Sequence, residues 1–460
     1  MLIRPKQTLM VVVLAVGLAG CALYHSKPLP TQPDLQPQLV PVKLDLDRIH
    51  LPGLKPHVFD PTKGLDATDV AILAVINNPA LKTARVAARA SEAQAFVAGM
   101  LPGPQLGYSL DHPTHQAPQY VNGYSAGIAY DLSALVEHGA AKSAAHASAR
   151  QIDLDLLWQE WQVAQQARLL YVDCLNNHDK LRVLNELQAG MAQRYHVEQR
   201  AYQAGDVSLG DLGLSLAALQ NVQTLTVSIA TARNASCRAL NEILGLAPDV
   251  QLNLIANTDP VSPPTQTDID NALAKLPERR PDLLALRYGY KSQDEEVWRA
   301  VLAQFPGIGF GLNRAQDTSD VHTVGFSVSL NFPFLGGGAA IVHAAEATRD
   351  ALWQQYQQRL DEVASEVQLL RADLSVLDRE LDQMQSATAD NRQMLSGAYA
   401  AYARGDLTAP AYYDLTTTAL NHRLTALDLR AQQQQLLIAL QTLLGLPPQD
   451  LQHPVREPPS

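Results

Sequence analysis

Few residue patterns in this sequence could carry out catalysis. Residues 123–127 read Gly-Tyr-Ser-Ala-Gly, which fits the G-x-S-x-G pattern of a serine nucleophile. That pattern needs a strand before the serine and a helix after it, whereas here it begins an alternating, strand-like segment. Gly336-Gly337-Gly338 precedes a helical segment but lacks the Lys-Ser/Thr pair of a phosphate-binding loop. A hydrolase that uses Ser125 is therefore a hypothesis that the neighbouring sequence does not favour.

The 13 histidines raise the question of a metal site. His112 and His115 share one short segment, in which Asp111 is the nearest acid and no cysteine is close. A tight transition-metal site usually needs three or four such ligands brought together. We therefore expect scattered surface histidines, no metal site, no cofactor and no enzymatic activity.

The N-terminus indicates covalent chemistry of another kind. An apolar run from Leu9 to Leu18 follows two basic residues and has the length of a signal-peptide core. Leu18-Ala19-Gly20-Cys21 resembles the cleavage box of bacterial lipoproteins, in which the cysteine becomes the lipidated first residue. The alternative is an ordinary signal peptide with a chance cysteine. We predict a signal peptide over 1–20, a lipid on Cys21 and, because Ala22 rather than Asp follows, an outer-membrane destination.

Composition narrows the remaining functions. The 460 residues include 35 Lys and Arg against 46 Asp and Glu, and a net charge of −11 argues against nucleic-acid binding. Three cysteines exclude a disulfide-dense scaffold. We identify one long apolar run in the sequence, near the N-terminus, and it is too short to span a membrane. Any membrane crossing is then expected to come from a lipid or from β-strands.

The body of the chain is a duplicated unit. Ala201-Tyr202-Gln203-Ala204-Gly205-Asp206 recurs as Ala401-Tyr402-Ala403-Arg404-Gly405-Asp406, and Leu244-Gly245-Leu246 recurs as Leu444-Gly445-Leu446. Asn78-Pro79 and Leu101-Pro102-Gly103 have counterparts in Arg280-Pro281 and Phe305-Pro306-Gly307, in the same order. Repeats of this kind indicate one structural unit used twice.

Each repeat has the same predicted elements: a helix of about 30 residues, two strands, and two very long helices joined at a glycine. The predicted segments are a lipid anchor with a Pro-rich strap over 21–62, a first repeat over 63–248, a linker over 249–264, a second repeat over 265–446 and a C-terminal tail over 447–460. The first helices are placed near 66–100 and 269–304, the strands near 103–111, 121–132, 306–314 and 322–334, and the helical hairpins near 140–245 and 340–445.

The predicted strands alternate between large apolar and small or polar residues. Val324, Phe326 and Val328 face one way, and Gly325, Ser327 and Ser329 face the other. A membrane barrel with a wet lumen shows this pattern, as does a two-faced sheet on a soluble core. Four strands cannot enclose a channel, so a barrel requires several chains, and three copies would supply twelve strands. Helices of about 60 residues must pack side by side in a bundle or tube.

These features together resemble the TolC family of outer-membrane efflux channels over roughly residues 63–446. The features are the signal peptide, the lipidated cysteine, the Pro-rich strap, the Pro-containing helix starts, the Tyr-x-x-Gly turns and the Leu-Gly-Leu ends. The lipidated outer-membrane partners of three-component drug or heavy-metal pumps look closest. The fold that the resemblance implies is a trimeric 12-stranded β-barrel, which continues into a periplasmic α-helical barrel.

The function implied by the resemblance is a passive exit duct that does no chemistry. The resemblance implies a homotrimer in outer-membrane lipid, joined through a periplasmic adaptor to an inner-membrane transporter that supplies the energy. Its cargo would be drugs, metal ions or other small solutes. A structural lipoprotein, tethered by Cys21 and spacing the envelope layers as a coiled coil, is the alternative from a different class.

The two hairpin turns are candidate sites of docking and gating. Gly205 and Gly405 permit the backbone that a helix end needs, and Asp206 with Ser208, and Asp406 with Thr408, are candidate N-caps. These turns either only cap helices or also dock against an adaptor. The resemblance implies that acidic residues just past the turns ring a closed pore entrance, and the alternative is that they lie on ordinary solvated helix faces. Asp211 has the family spacing, and Asp414 lies further from its glycine because Ala409-Pro410-Ala411 resembles an insertion.

Cys174 and Cys237 lie at equal distances on either side of the Gly205 turn. If the two helices run antiparallel from that turn, both cysteines lie at the same height, and an oxidising compartment permits a disulfide. Coincidence, with side chains that point apart, is the other interpretation and the one that we favour.

Overall fold

The computed structural model describes residues 26–38, 64–114, 120–256, 264–332 and 337–446, with the backbone alone at 385–392. The chain divides into two units, residues 1–36 and 37–460. In the first unit, residues 26–36 form no helix and are almost all exposed. The predicted signal peptide, Cys21, most of the strap, His115, part of the linker and the C-terminal tail lie outside the described residues.

The described residues of the second unit form nine α-helices and four β-strands. The first repeat comprises α1 (Ala67–Asn77), α2 (Pro79–Ala98), β1 (Gln105–Asp111), β2 (Gly123–Asp131), α3 (Ser133–Ala204) and α4 (Leu209–Ile243). The second repeat comprises α5 (Gln266–Ala274), α6 (Leu276–Arg279), α7 (Pro281–Leu302), β3 (Gly307–Gln316), β4 (His322–Asn331), α8 (Gly338–Arg404) and α9 (Ala409–Leu443). The long helix α3 begins earlier than the predicted residue 140, directly after β2.

The predicted opening helix of each repeat is in fact broken, and that prediction was wrong. In the first repeat the break lies at Asn78, whose side chain caps α2 by accepting hydrogen bonds from the backbone N–H groups of Ala80 and Leu81. Pro79 then occupies the first position of the new helix, where its missing donor costs nothing. Pro281 begins α7 in the same way. The residue before a proline is disfavoured in helical geometry, which is why the helix stops there.

The repeated landmarks of the sequence meet in space within each repeat. The Asn78 side chain donates to the carbonyl of Ile243 at the end of α4 (3.1 Å). In the second repeat, Arg280 donates to the carbonyl of Leu443 at the end of α9 (3.0 Å). Each returning helix of a hairpin therefore ends against the start of the helix that leads to the strands. The Pro-containing starts and the Leu-Gly-Leu ends are two sides of one junction.

The long helices lie side by side in one layer. Near the strands α3 packs against α2 and α7, and α7 packs against α8. Near the hairpin turns α3 packs against α4 and α9, and α9 packs against α8. This order leaves α2 and α4 on one side and α8 on the other, although α4 also contacts α9 around Leu219, Val222 and Leu420. Core clusters fill the spaces between them, one around Leu240 and Leu244 and another around Leu440 and Leu444.

The four strands form one antiparallel sheet in the order β1-β2-β3-β4, so β1 and β4 are unpaired edges among the described residues. Strand β1 follows α2, and β4 precedes α8, so the sheet edges follow the helix edges. One face carries large apolar side chains that are exposed, including Leu106 (82%), Leu312 (57%) and Phe326 (65%). The opposite face is crowded with small residues, because a Cβ at Gly309 or Gly311 would meet a serine Oγ of β4.

One helix was missed by the prediction that only the N-terminus holds a long apolar run. Unlike the N-terminal run, helix α4 is long and apolar enough to cross a membrane, judged by length and composition alone. Only 17% of its most apolar window is buried in the chain. Helix α4 is the returning arm of the first hairpin, at the edge of the helical layer, so its exposed apolar residues need another explanation than a membrane span.

Candidate functional site

The two hairpin turns have the same geometry. Gly205 and Gly405 end α3 and α8 with φ angles of 86° and 81°, a left-handed conformation that favours glycine. In both turns the next residue donates its backbone N–H to a carbonyl one turn back, from Asp206 to Ala201 and from Asp406 to Ala401 (2.9 Å each). Open space surrounds both glycines, so the backbone angle and not crowding selects the residue type.

The capping predictions hold only in part. Ser208 is the N-cap of α4, and its side chain accepts from the backbone N–H of Asp211 (3.1 Å). Thr408 occupies the same position before α9 but makes no side-chain cap bond. Neither aspartate of the turns is an N-cap. The Asp406 side chain instead accepts a hydrogen bond from Arg404 (2.8 Å), and both of these side chains are exposed.

The predicted insertion before Asp414 is wrong. Helices α4 and α9 begin at Leu209 and Ala409 and end at Ile243 and Leu443, so the offset of 200 is unbroken through both turns. Pro410 lies in the first turn of α9, where proline is well tolerated. The counterpart of Asp211 is therefore Ala411. Asp414 is exposed and lies almost one helical turn further along α9, on a similar side of its helix.

Asp211 is already engaged within its own chain. The Ser208 hydroxyl donates to its carboxylate (2.7 Å), which completes a reciprocal contact with the cap of α4. The carboxylate also lies close enough to Tyr402 to contribute to raising the pKa of that phenol. Asp211 thus belongs to the cap of α4, and its charge acts on a tyrosine of the second hairpin.

A cluster of charged and aromatic residues joins the two hairpins just above the turns, and the sequence did not reveal it. Glu198 of α3 is buried, with 6% of its surface exposed. Its Oε1 atom accepts hydrogen bonds from the hydroxyls of Tyr402 and Tyr413, at 2.9 Å each. Its other carboxylate oxygen is buried and has no partner among the described residues. We call Arg194, Glu198, Tyr402, Tyr412 and Tyr413 the tip cluster.

Arg194 completes the tip cluster on the same face of α3. Its guanidinium carbon lies 4.3 Å from the ring centre of Tyr412 and 5.2 Å from that of Tyr402. The rings of Tyr402 and Tyr412 are stacked with their centres 4.9 Å apart. A cation over an aromatic face is attracted by the ring electrons, and partial burial strengthens the attraction. A cavity of about 560 Å³ lies beside these groups, between the two hairpins.

The tip cluster strongly favours neutral tyrosines. Burial, and then the hydrogen bond and negative charge of Glu198, raise the pKa of Tyr402 to about 12. The same causes raise the pKa of Tyr413 further. Both phenols are therefore protonated donors at any physiological pH, and the negative carboxylate keeps them so.

Cys174 and Cys237 form a disulfide between α3 and α4, with Cα atoms 5.1 Å apart. The interpretation that we favoured, in which the side chains point apart, is wrong. The two helices do run antiparallel from the Gly205 turn, which brings both cysteines to one height. The corresponding residues of the second hairpin are Leu374 and Leu437, which are buried in one apolar cluster. The first hairpin thus has a covalent link where the second has a hydrophobic contact.

The structure does not assemble the residues of the enzyme hypotheses into a catalytic site. Ser125 lies in the middle of strand β2, paired with Ser109 and Ala315, and no helix follows it directly. His112 contacts the side chain of Asn122. No group of three or more potential metal ligands is found among the described residues.

Comparison with solved structures identifies the class of fold. The fold is that of bacterial outer-membrane channels. CusC matches with a TM-score of 0.72 at 18% identity, over 90% of this chain and 99% of that chain. CmeC of Campylobacter jejuni matches with a TM-score of 0.71 at 15% identity, over 82% of this chain and 85% of that chain. The open-state MtrE channel of Neisseria gonorrhoeae matches with a TM-score of 0.66 at 15% identity, over 83% of this chain and 89% of that chain.

Residues 272–446, most of the second repeat, match the family model described as outer membrane efflux protein. The resemblance to the TolC-like channels is thereby confirmed. No curated protein is significantly similar to the chain.

Proposed function

We propose that this protein is the outer-membrane exit channel of a tripartite efflux system. Three copies form a 12-stranded β-barrel that continues into a periplasmic α-helical tunnel, and a lipid on Cys21 anchors each copy. The channel is passive: it conducts drugs, metal ions or other small solutes that an inner-membrane transporter delivers through a periplasmic adaptor. The efflux-protein match of residues 272–446 and the fold of outer-membrane channels support this function.

The exposed, two-edged sheet is the single observation that carries the proposal. A four-stranded sheet that leaves large apolar residues in water and two edges unpaired would be a site of aggregation in a soluble monomer. Lipid against the apolar face would bury Leu106, Leu312 and Phe326. The small-residue face, with Gly309 and Gly311 opposite serines, would then line a wet lumen.

The edges of the chain explain how copies could join. Because β1 and β4 are at opposite edges, β4 of one copy can pair with β1 of the next, head to tail. A head-to-tail contact produces a closed ring if the rotation between copies closes. The helix edges follow the sheet edges, so the same ring joins α8 of one copy to α2 and α4 of the next. Three copies are the smallest ring with more strands than the roughly eight of a barrel filled by its own side chains.

The hairpin turns are the proposed periplasmic end. Each turn presents a small tip for an adaptor, and the side chain of Ser208 caps the first one. The residues of the two tips are Gly205, Asp206, Ser208, Gly405, Asp406 and Thr408. Asp211 and Asp414, repeated around the ring, would form acidic constrictions, because like charges that converge on one axis repel one another and attract cations. The tip cluster would hold the two hairpins of each copy together in the closed channel.

The tethered-spacer alternative leaves the sheet unexplained. A coiled-coil lipoprotein needs no strands, and nothing in such a function would require an apolar sheet face with matched open edges. The long helices alone fit both functions, so the strands decide between them.

Single-channel conductance in planar bilayers tests the proposal. The purified protein is expected to form cation-preferring pores of low conductance, because the acidic tips restrict the entrance. Asp211→Ala is expected to reduce the cation preference, whereas Asp179→Ala, at a half-buried position of α3 away from the tip, is expected to leave it unchanged. Protein that inserts into bilayers but gives no conductance in any variant would overturn the channel.

A further inference from the structure

Two exposed stripes run along the opposite edges of the helical layer. Along α4 the exposed residues Thr224, Val227, Thr231, Asn234 and Arg238 follow one another at alternating spacings of three and four. Along α8 the exposed residues Glu366, Leu369, Asp373, Val376 and Glu380 have the same spacing. This spacing is that of a coiled-coil seam, in which one helix packs against another along its whole length. Both stripes are exposed in the single chain, and most of the α4 stripe borders a cavity whose opposite wall includes His178 of α3.

The charges of the two stripes are complementary. Arg238 is exposed and has no ion pair or hydrogen bond among the described residues. It borders a cavity that also contains His178 and Arg233, and the lining of this cavity includes no carboxylate. On α8, the acids Glu366, Asp373 and Glu380 have no hydrogen bond or ion pair within the described part of the chain. In a chain with a net charge of −11, a cavity lined by cationic groups and by no carboxylate favours an anionic partner, although the exposed Glu242 lies one turn from Arg238 on α4.

The internal repeat fixes the heights of these charges. Cys174 and Cys237 face each other across the first hairpin, so they share one height along the helices. The offset of 200 places Leu374 at the height of Cys174 if the repeats lie level. The two repeats do lie at the same height along the helices. Tyr413 of α9 donates a hydrogen bond to Glu198 of α3, and Gln435 of α9 donates one to Asp173 of α3 (2.6 Å). Arg238 follows Cys237 directly, and Asp373 directly precedes Leu374.

We propose that Arg238 of one copy forms an ion pair with Asp373 of the next copy, within an antiparallel seam between the two stripes. This inference rests on the proposed ring, because a ring whose axis runs along the helices keeps equal heights in every copy. Helix α4 runs away from its turn and α8 runs towards its turn, so the seam is antiparallel. Glu366 and Glu380 lie on the same stripe, two turns above and below Asp373, and extend the negative surface that Arg238 meets.

The seam also accounts for the apolar character of α4. Between Asp211 and Arg233 this helix carries no charged residue, yet most of it is exposed in the single chain. Contact with a second copy would bury this surface without any membrane span. The occupant that the charges and heights select is therefore another copy of this chain rather than lipid.

Cysteine cross-linking tests the register of the seam. Full-length Arg238→Cys/Asp373→Cys protein, oxidised in outer membranes with the native disulfide intact, is expected to yield covalent dimers and trimers. Thr224→Cys/Asp373→Cys is the matched control, because Thr224 lies on the same stripe but two heptads from Arg238, roughly 20 Å along the helix. The control is expected to stay monomeric in denaturing gels. Cross-linking of the control but not of the Arg238 variant would overturn the inference.

A charge exchange distinguishes the seam from the ring itself. Arg238→Asp and Asp373→Arg are each expected to lower the temperature at which the oligomer dissociates in detergent, and the double exchange is expected to restore most of the loss. Native mass is measured for every variant. A stable oligomer that shows neither the cross-link nor the rescue overturns the seam but leaves the channel standing. A monomeric wild-type protein overturns both.

Discussion

The hydroxyls of Tyr402 and Tyr413 both donate hydrogen bonds to one buried oxygen of Glu198. Removal of a single hydroxyl tests how much these bonds contribute to stability. Tyr413→Phe removes a donor from a carboxylate that is 6% exposed. Loss of a hydrogen bond to a buried charged group costs about 1.5–3 kcal/mol. We therefore expect the free energy of unfolding to fall by that amount, measured by urea denaturation followed by circular dichroism.

Tyr399→Phe is the matched control for this loss. Tyr399 also lies near Arg194, but it is 57% exposed, and its hydroxyl has no hydrogen-bond partner among the described residues. Its substitution is expected to change the stability by less than about 0.5 kcal/mol. Equal effects of the two substitutions would show that the Glu198 contact contributes nothing.

The raised pKa of Tyr402 predicts a dependence of stability on alkaline pH. The pKa is about 12 in the folded chain, above the ordinary value of 10.0. Between these values the unfolded chain has lost a proton that the folded chain keeps, so stability falls as the pH rises. The contribution is fully present below pH 10 and is lost as the pH passes through about 12. Tyr402→Phe is expected to show a shallower decline of the urea midpoint over this range, and a decline as steep as that of the wild type would contradict the assignment.

At the level of the elements, the glycine at each turn sets the end of a long helix. Gly205→Ala places a side chain at a φ angle of 86°, which costs about 1–2 kcal/mol for most residues. Gly213→Ala is the control, because Gly213 lies inside α4 with open space around it, and alanine there stabilises the helix by about 1 kcal/mol. The two changes are expected to shift the thermal midpoint in opposite directions. A stabilising Gly205→Ala would exclude the left-handed turn.

Much of the element pattern could be predicted because local rules decide it. Gly205 and Gly405 end α3 and α8 because glycine readily adopts the left-handed backbone conformation. The offset of 200 between the repeats then remains constant to the ends of α4 and α9. The broken opening helices were missed although Pro79 and Pro281 were visible in the sequence. The prolines were used as landmarks of the repeat and not as helix boundaries. The side chain of Asn78 caps a new helix that begins directly at Pro79, so two short helices follow one another without a loop.

The site was less predictable because its contacts join distant residues. Glu198 is separated from Tyr402 and Tyr413 by more than 200 positions, so no spacing rule connects them. The repeat itself could have pointed to them. Glu198 has an alanine as its counterpart in the second repeat, and it lies about two helical turns before Gly205. The pair Tyr412-Tyr413 lies a similar distance after Gly405. The insertion before Asp414 was inferred by comparing the distances of Asp211 and Asp414 from their turn glycines. In the structure α9 begins at Ala409, directly after the N-cap Thr408, just as α4 begins directly after Ser208.

At the level of the whole molecule, the proposal places lipid on one face of the sheet and water on the other. A charged substitution should therefore be tolerated on the small-residue face and not on the apolar face. Val328→Lys places a charge on the exposed apolar face of β4, where lipid would make it cost about 2–4 kcal/mol near the middle of the membrane. Ser327→Lys, at the neighbouring position, points into the proposed wet lumen and is expected to be tolerated. The measurement is the yield of folded protein in outer membranes. Equal yields for the two variants would argue against lipid on the apolar face.

The native mass of the full-length protein, extracted from outer membranes in mild detergent, tests the central claim most directly. The unpaired edges of β1 and β4 require partners, so we expect a mass of three chains plus bound detergent. The trimer should persist when the lipid on Cys21 is removed, because the barrel itself holds the protein in the membrane. A monomer, or release from the membrane once the lipid is absent, would contradict the shared barrel and favour the tethered spacer.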